Sequence, residues 1–365
     1  MSSYQKKDFW SFFNTLQNDI ISSRPYNSFR KGSKDVTEFY LTDEERERLK
    51  GMRHIKRSFY LFGWIFRAML QKLTPARQIM FILGIVFLVR VRVSLGDSNS
   101  IGLDFNALFG GGLLVLVILL ELKDKLLAHD ELEAGRKIQE TLMPERMPNV
   151  KGWSVWLYTR SANEVCGDLI DFMRLESGRF SIAMADVSGK GLHAALITAK
   201  LQATIRALAG EINALPELIG RINSIVHRDS PSHIFSSLFY AECSEQNGTL
   251  RYVNAGHFPA LILREKNVEE CPKGDAALGL ARAMNFNEQT VSLKDGDRFV
   301  LYSDGLTEAK NETGEFFGKD RLINILTATT GSPEQLGAAV LRDVDRFTGT
   351  STPSDDLSLI ILQKL

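Results

Sequence analysis

The chain has 365 residues, of which 44% are hydrophobic and 24% are charged, a balance that is ordinary for a globular protein with a sizeable core. Its 44 basic and 44 acidic side chains cancel, so no whole-chain field favours nucleic acid as a partner. The three cysteines, Cys166, Cys243 and Cys271, are far apart and form no CxxC pair. This spacing argues against a zinc ribbon or a disulfide framework and fits a reducing compartment.

The first segment, residues 1–78, carries 15 Lys and Arg against 8 Asp and Glu, and we predict a basic N-terminal region on the cytoplasmic side. It ends in the mixed apolar and basic run SFYLFGWIFRAML, residues 58–70. An amphipathic helix on a membrane surface and an ordinary core helix both produce such a run, and the sequence does not decide between them.

Two apolar blocks follow, Ile79 to Val89 and Ala107 to Leu120, and with their flanks each approaches the roughly 20 residues that span a bilayer as a helix. The linker between them is acidic and polar, whereas both outer flanks are basic, which places both outer ends in the cytoplasm. We therefore predict a two-span transmembrane hairpin over residues 79–122, anchored in the cell inner membrane. A buried helical hairpin of a soluble domain is the alternative.

Residues 123–145 are rich in charge and are predicted to form a connecting helix, which Pro144 and Pro148 end. A partial apolar seam along it could pair two copies of the chain as a homodimer, although the heptad pattern is too broken for a coiled coil.

Residues 150–365 combine apolar, strand-like runs with two pairs of helical patterns. Many of the runs follow one another as in hairpins, and regular alternation of strand and helix is absent. This order predicts an α+β domain of packed antiparallel sheets with helices on their faces.

Acidic residues stand at the ends of several predicted strands, beside glycine or another small residue. They are Asp168, Asp186, Asp304 and the pair Asp355 and Asp356. Each has an ordinary explanation when taken alone, because Asp favours turns and helix N-termini, and Asp186 could cap the helix that follows it. Taken together, they predict that several strand ends share one mouth lined with carboxylates.

Carboxylate oxygens are the ligands that magnesium and manganese prefer, and two such ions about 3.5–4 Å apart form the usual site for hydrolysing phosphate esters. A site of this kind needs no protein nucleophile. The sequence contains no GxSxG, HExxH or P-loop pattern. The carboxylates therefore favour a two-metal phosphoester hydrolase.

The ordered motifs EVCGDLID, ADVSGKG, NAGH, LYSDGLTEA and DDLSL resemble those of the PPM family of metal-dependent serine/threonine phosphatases, in its bacterial SpoIIE/RsbU type. The match covers residues 134–365. The resemblance implies an αββα sandwich, in which two antiparallel sheets are flanked by helix pairs, and a site for two manganese or magnesium ions.

The resemblance also implies the residues of the site. The implied ligands are Asp168, Asp186, Val187 through its backbone carbonyl, Asp304 and Asp355. Asp186 would bridge both ions, and Asp168, Asp186 and Asp304 are the expected catalytic carboxylates. Asp355 is chosen over Asp356 because the first Asp of the paired motif is the ligand in the family.

Members of the family act on phosphoserine or phosphothreonine, often on small STAS-type anti-sigma-factor antagonists, and an N-terminal sensor commonly precedes the phosphatase. We therefore expect an enzyme that acts on a phosphorylated partner protein. One rival hypothesis is a catalytically silent PPM-like binding module, which the retained aspartates disfavour. Another is a two-metal hydrolase of nucleic acid, which the neutral charge balance disfavours.

Two residues depart from the usual motifs. Cys166 replaces a glycine of the first motif, which puts the backbone conformation of that loop in question and raises a redox role against that of an inert buried thiol. Lys190 stands where many relatives have His. His193 and His257 are candidate acid–base residues, although a position on a helix face for His193 and a loop hydrogen bond for His257 are the favoured interpretations.

Overall fold

The computed structural model describes Arg48 and residues 54–93, 105–176, 178–231, 233–265 and 267–365. Most of the predicted basic N-terminal region, and the polar linker between the two apolar blocks, lie outside these residues. The chain divides into two compact units, Met1–Leu126 and Leu127–Leu365.

Three helices precede the sheets. They are α1 His54–Lys72, α2 Pro75–Val93 and α3 Phe105–Leu142. In the first unit α2 and the apolar part of α3 run antiparallel, because Arg77 near the start of α2 pairs with Glu121 at 2.7 Å and Asp124 at 2.6 Å. Halfway along, Gly84 and Gly110 approach so closely that a side chain at either would collide with the facing helix.

Only α3 is long and apolar enough to cross a membrane among the helices that the structure describes, by length and composition alone. The apolar part of α2 is the shorter stretch Pro75–Leu88, since Arg90 and Arg92 interrupt the pattern beyond it. The helical hairpin is present, but the two-span transmembrane prediction is not confirmed. A single apolar helix is weak evidence for a membrane, because a core helix of a soluble protein passes the same test.

The second unit contains two five-stranded sheets in which every described pair of neighbouring strands is antiparallel. The first sheet, ordered β1-β10-β9-β6-β7, consists of β1 Trp153–Arg160, β6 Leu261–Arg264, β7 Asn267–Glu270, β9 Arg298–Tyr302 and β10 Leu357–Lys364. The second sheet, ordered β2-β3-β4-β5-β8, consists of β2 Asp168–Leu175, β3 Arg179–Val187, β4 Ser236–Ser244, β5 Thr249–Ala255 and β8 Gln289–Ser292.

Helices cover the outer face of each sheet. They are α4 Leu192–Leu208 and α5 Leu215–Asp229 on the second sheet, and α7 Lys319–Ala328 and α8 Pro333–Thr348 on the first. One further short helix, α6 Asp304–Thr307, directly follows β9.

Alternation along the strands explains this layering, because successive side chains of a strand point to opposite faces of its sheet. In β3, Ile182 and Met184 belong to the core between the sheets, whereas Ala183 and Ala185 pack beneath α4 and α5. The strands of the first sheet divide in the same way between the central core and the layer under α7 and α8. The predicted αββα sandwich is therefore confirmed.

Candidate metal centre

Two of the predicted aspartates face each other across neighbouring strands. Asp168 begins β2 and Asp186 lies one residue before the end of β3, and the two are paired in the antiparallel register. Asp168 is buried, and its Oδ2 accepts a hydrogen bond of 2.6 Å from the hydroxyl of Ser358 in β10. The start of β10, in the first sheet, therefore contacts the start of β2, in the second sheet.

The other two predicted ligands come from the first sheet. Asp304 follows the end of β9 and is the first residue of α6, and Asp355 lies two residues before β10. The chain can place them together because Gly305 packs directly against the backbone of Asp356, where any side chain would collide. The hydroxyl of Ser303 reinforces this junction by donating to the carbonyl of Asp356 at 3.1 Å.

The electrostatics show that these carboxylates lie around one mouth. The pKa of Asp186 is raised to about 7, mainly by burial and further by the negative charges of Asp304, Asp355 and Asp356. Burial also raises the pKa of Asp304, with Asp355 as the next cause, and raises that of Asp168, to which the charges of Asp186 and Asp356 contribute. Neighbouring carboxylate charges thus add to burial in raising the pKa of Asp168, Asp186 and Asp304, as expected of groups that a cation would stabilise.

Lys190 lies at the rim of this cluster. Its Nζ donates to the carbonyl of Ser354 at 2.6 Å and lies 3.4 Å from Oδ2 of Asp355. The same ammonium opposes the rise in pKa of Asp186 and Asp304. One exposed lysine therefore offsets part of the negative charge.

The two aspartates of the last motif have different surroundings. Asp356 is buried and accepts hydrogen bonds from the backbone N–H groups of Ala162 at 2.7 Å and Gly167 at 2.5 Å. The side chain of Asp355 is about half exposed. Asp356 is committed to holding two loops, which leaves Asp355 as the carboxylate of the pair that is free to bind a cation.

The loop before Asp168 accommodates Cys166 without strain, because Cys166 is not among the described non-glycine residues with positive φ. Burial, and to a lesser extent the negative charge of Asp356, raises the pKa of its thiol far above the usual range. The thiol therefore stays protonated and unreactive. The side chain of Gln139 in α3 forms two hydrogen bonds with the backbone of Cys166. It donates to the carbonyl at 2.9 Å and accepts from the N–H at 3.0 Å. The inert interpretation of Cys166 is therefore favoured.

The helix-cap explanation of Asp186 is wrong. Helix α4 begins at Leu192 after Gly191, and no side chain caps it. The hydroxyl of the nearby Ser188 instead accepts a hydrogen bond of 2.9 Å from the N–H of Phe235. The side chain of Asp186 is therefore not engaged as a cap.

The donor set fits hard divalent cations, because it consists of carboxylate oxygens with the carbonyl of Val187 beside them. The side chains of these ligands lie farther apart than in an assembled metal site. Within the described part of the chain, no three His, Cys, Asp or Glu side chains converge closely enough to form a metal-binding group. The chemistry of the residues thus fits the implied cations, while the structure shows charged groups around a mouth rather than an assembled coordination sphere.

The two candidate histidines differ in exposure. His193 is exposed on α4, as expected for a residue on a helix face. His257 is buried, and its Nδ1 lies 3.1 Å from the hydroxyl of Ser237. Neither has a described contact with the predicted ligands.

Sequence reasoning missed the residues that hold the ligands in place. They are Gln139, Thr198, Ser236, Ser237, Ser303 and Ser358. Serine and threonine are common surface residues, and those that act here are far apart in the chain from the aspartates they support. No local motif could have revealed them.

Comparison with known proteins bears on the family of the chain. The family model described as Stage II sporulation protein E (SpoIIE) matches residues 176–364, just over half of the chain, a range that includes three of the four predicted carboxylate ligands and begins after Asp168.

Three curated relatives are similar over part of their length. Protein IcfG of Synechocystis sp. is 26% identical over 262 residues, 64% of this chain and 41% of the relative. Phosphoserine phosphatase RsbU of Bacillus subtilis is 25% identical over 236 residues, 64% of this chain and 70% of the relative. Phosphoserine phosphatase RsbP of Bacillus subtilis is 28% identical over 189 residues, 50% of this chain and 47% of the relative. The chain thus spans less than half of two of these three proteins.

Two solved structures share the fold. The SiaA-PP2C domain of Pseudomonas aeruginosa has a TM-score of 0.56 at 19% identity, covering 66% of this chain and 98% of that one. The PP2C phosphatase domain of SpoIIE from Bacillus subtilis, with a fragment of its regulatory domain, has a TM-score of 0.53 at 19% identity, covering 59% of this chain and 64% of that one. At this level of identity the match establishes the fold alone.

Proposed function

The chain belongs to the Stage II sporulation protein E (SpoIIE) family, and from that premise we propose that it is a metal-dependent phosphatase of phosphoserine or phosphothreonine on a partner protein. The observation that carries the proposal is the set of carboxylates at the sheet ends, where Asp168 faces Asp186 and where burial, followed by the charges of Asp304 and Asp355, raises the pKa of Asp186. Two of the curated relatives bear the name phosphoserine phosphatase, which supports the same substrate class.

In the proposed site, two manganese or magnesium ions are held by carboxylates and one carbonyl. The ligands are Asp168, Asp186, Val187 through its carbonyl, Asp304 and Asp355. Bound divalent cations supply an activated water and stabilise charge on the phosphoryl oxygens. Asp186 would have to be ionised to act as a ligand, and burial, which raises its pKa to about 7, disfavours the ionised form in the absence of a cation.

The protein's own groups define the rest of the mouth. Asp356 and Gln139 fix the loop that carries Asp168, so this ligand is presented on a held backbone. Lys190 brings a positive charge to the rim, where it can attract a phosphoryl group. The mechanism needs no nucleophilic side chain, in keeping with the buried and protonated Cys166.

We further propose that the partner is a small phosphorylated protein of the STAS-type anti-sigma-factor antagonist class. The N-terminal part is proposed to be a membrane anchor and sensor at the cell inner membrane, with the phosphatase domain in the cytoplasm and the exposed apolar residues of α3 as its support. The proposed division is 1–78, 79–122, 123–145 and 150–365, and a homodimer through the connecting helix is proposed with it.

Hydrolysis of p-nitrophenyl phosphate by the full-length protein tests the reaction directly. We expect turnover with manganese that is abolished by chelation and lost in the Asp186→Asn variant. Absence of turnover under all metal conditions, together with retained binding to a phosphoprotein, would instead support the silent binding module.

A further inference from the structure

The NAGH motif, Asn254 to His257, has no part in the proposed coordination of the cations, yet its turn is tightly built. The side chain of Asn254 donates to the carbonyl of His257 at 3.0 Å and accepts from its N–H at 2.8 Å. Gly256 has a φ of 74°, and a side chain there would collide with Ala277. The turn therefore holds the backbone of His257 in one place.

The imidazole that this turn presents is linked to Asp186 through one serine. Nδ1 of His257 lies 3.1 Å from Oγ of Ser237, and the backbone N–H of Asp186 donates to the same Oγ at 3.2 Å. The neighbouring hydroxyl of Ser236 donates to the carbonyl of Asp186 at 3.0 Å. Both main-chain polar groups of Asp186 are thus held by consecutive serines of β4.

The chemistry of these groups gives the direction of the hydrogen bond to Asp186, and the tautomer of His257 sets the direction of the other. The amide of Asp186 can only donate, so the oxygen of Ser237 accepts. In the tautomer with an unprotonated Nδ1, the hydroxyl hydrogen of Ser237 points to this nitrogen, because the described residues offer the hydroxyl no other acceptor. Burial lowers the pKa of His257 to about 4, so the ring is neutral near pH 7 and can accept at Nδ1.

We propose that His257 is a positioning residue that fixes the hydroxyl of Ser237 as the acceptor for the Asp186 amide and so aims the Asp186 carboxylate. Without His257, the Ser237 hydroxyl loses its acceptor and can turn its hydrogen toward the amide. The main chain of Asp186 then loses one of its two hydrogen bonds to serine hydroxyls. This inference rests on the proposed function only in taking Asp186 as a ligand.

A role for His257 as the general acid is less consistent with the structure. A general acid must lie within hydrogen-bond reach of the leaving group. The ring is buried, and its described polar contact is the Ser237 hydroxyl. Its Nε2 is buried without a partner among the described residues.

Two substitutions separate the atoms of the ring. His257→Asn places an amide oxygen near the position of Nδ1, where it can accept from Ser237, whereas His257→Gln places its polar group near Nε2. We expect His257→Gln to weaken manganese affinity of the full-length protein about tenfold or more, the range seen when a group behind a metal ligand is lost, and to lower kcat with little change in KM. We expect His257→Asn to restore affinity to within about threefold of wild type.

The measurements are isothermal titration with manganese, steady-state turnover of p-nitrophenyl phosphate and thermal melting. His227→Gln is the matched control, because the Nδ1 of His227 also forms a loop hydrogen bond, 2.9 Å from the carbonyl of Gly279, away from Asp186. Ser237→Ala should reproduce the loss and Ser237→Thr should retain affinity, and this pair decides the matter if His257→Gln does not fold.

Equal affinities for His257→Gln and wild type would overturn the proposal. Equal losses of manganese affinity in His257→Asn and His257→Gln would also overturn it, if those losses follow the melting temperatures of the variants. In that case His227→Gln would show the same relation, because the pattern marks a purely structural role. A wild type that binds manganese without turnover would refute the proposed phosphatase activity and leave the affinity comparison to decide the role of His257.

Discussion

The neighbouring residues Asp355 and Asp356 divide the tasks of support and ligation. Asp356 accepts two backbone N–H groups on its buried carboxylate, whereas Asp355 is half exposed beside Lys190. An unsatisfied or mismatched buried donor costs about 1–3 kcal/mol. The structure therefore assigns Asp356 to stability and supports the proposal of Asp355 as a ligand.

We expect the two amide variants to separate these roles. Asp356→Asn loses one acceptor against two fixed donors and should lower the free energy of unfolding by about 2–3 kcal/mol. Asp355→Asn should change stability without metal by less than about 0.5 kcal/mol and reduce manganese-dependent turnover at least about tenfold. Denaturant unfolding and a turnover assay measure the two effects, and the reverse pattern would exchange the assignments.

His257 also gives stability a defined dependence on pH. The pKa of a free imidazole is near 6.5, and burial lowers it to about 4 in the folded chain, so the unfolded chain binds a proton that the folded one does not between these values. The contribution is fully present above pH 6.5 and is lost as the pH falls toward 4. It amounts to about 3 kcal/mol.

Denaturant unfolding at several pH values between 4 and 7 measures this contribution. We expect the difference in free energy of unfolding between wild type and His257→Asn to shift in favour of the variant as the pH falls. Using the difference removes the opposite contribution of the buried aspartates. A difference that does not change with pH would mean that His257 is not buried as a neutral ring.

At the level of single residues, the aspartates were predictable because each stands in a local pattern of strand, acid and small residue. The choice of Asp355 rested on the family resemblance, and the structure adds a physical reason for it. Ser237, Ser358 and Gln139 were not predictable. Their roles depend on contacts between residues up to 190 positions apart, as between Ser358 and Asp168, which local patterns do not encode.

Among the elements, the C-terminal part of α3 belongs to the second compact unit and is hydrogen-bonded to the rest of that unit at two places. Gln139 forms both hydrogen bonds of the Cys166 backbone, and the carbonyl of Leu142 accepts from the side chains of Gln202 at 2.9 Å and Arg206 at 3.3 Å. The last turns of the connecting helix therefore support the loop that carries Asp168, and the compact unit begins at Leu127.

We expect Gln139→Leu to destabilise the protein by about 1–3 kcal/mol, because it leaves the N–H and carbonyl of Cys166 without their partner. Manganese affinity should fall as well, since the adjacent Asp168 loses support. The control is Lys137→Leu, at an exposed position of the same helix. Melting curves with and without manganese test this. Equal behaviour of the two variants would show that the contact between helix and loop is dispensable.

Strong periodicity made some elements predictable. The strands β1, β3, β4, β5, β6, β9 and β10 and the four helices that cover the sheets follow apolar runs or helical patterns that the sequence displays. The strand β2 was missed because its sequence DLIDFMRL carries three charged residues, one of which, Asp171, is buried and paired with Arg206. The short strands β7 and β8 lie at sheet edges and contain one apolar residue each, so neither forms an apolar run in the sequence.

For the whole molecule, α3 is one continuous helix with an apolar N-terminal part and a C-terminal part that carries Gln139 and Leu142. Its apolar part exposes large side chains such as Phe105, Leu108 and Ile118. Exposed apolar surface of this extent is costly in water. This favours the proposed membrane anchor, although only one helix of the described chain meets the length and composition of a span.

Fractionation of cells tests the anchor. We expect the full-length protein in the membrane fraction, resistant to high salt and released by detergent, and a fragment of residues 127–365 in the soluble fraction. Salt alone should not release an inserted helix, because insertion depends on apolar burial and not on surface charge. A full-length protein that remains soluble without detergent would favour the buried hairpin of a soluble domain.

The central claim is tested most directly by phosphate release from a protein substrate phosphorylated on serine, measured with the full-length protein and with Asp186→Asn. We predict manganese- or magnesium-dependent release by the wild type, at least about a hundredfold slower release by the variant, and no release in the presence of chelator. Release that is equally fast in the variant, or that persists after chelation, would contradict the two-metal site at the sheet ends.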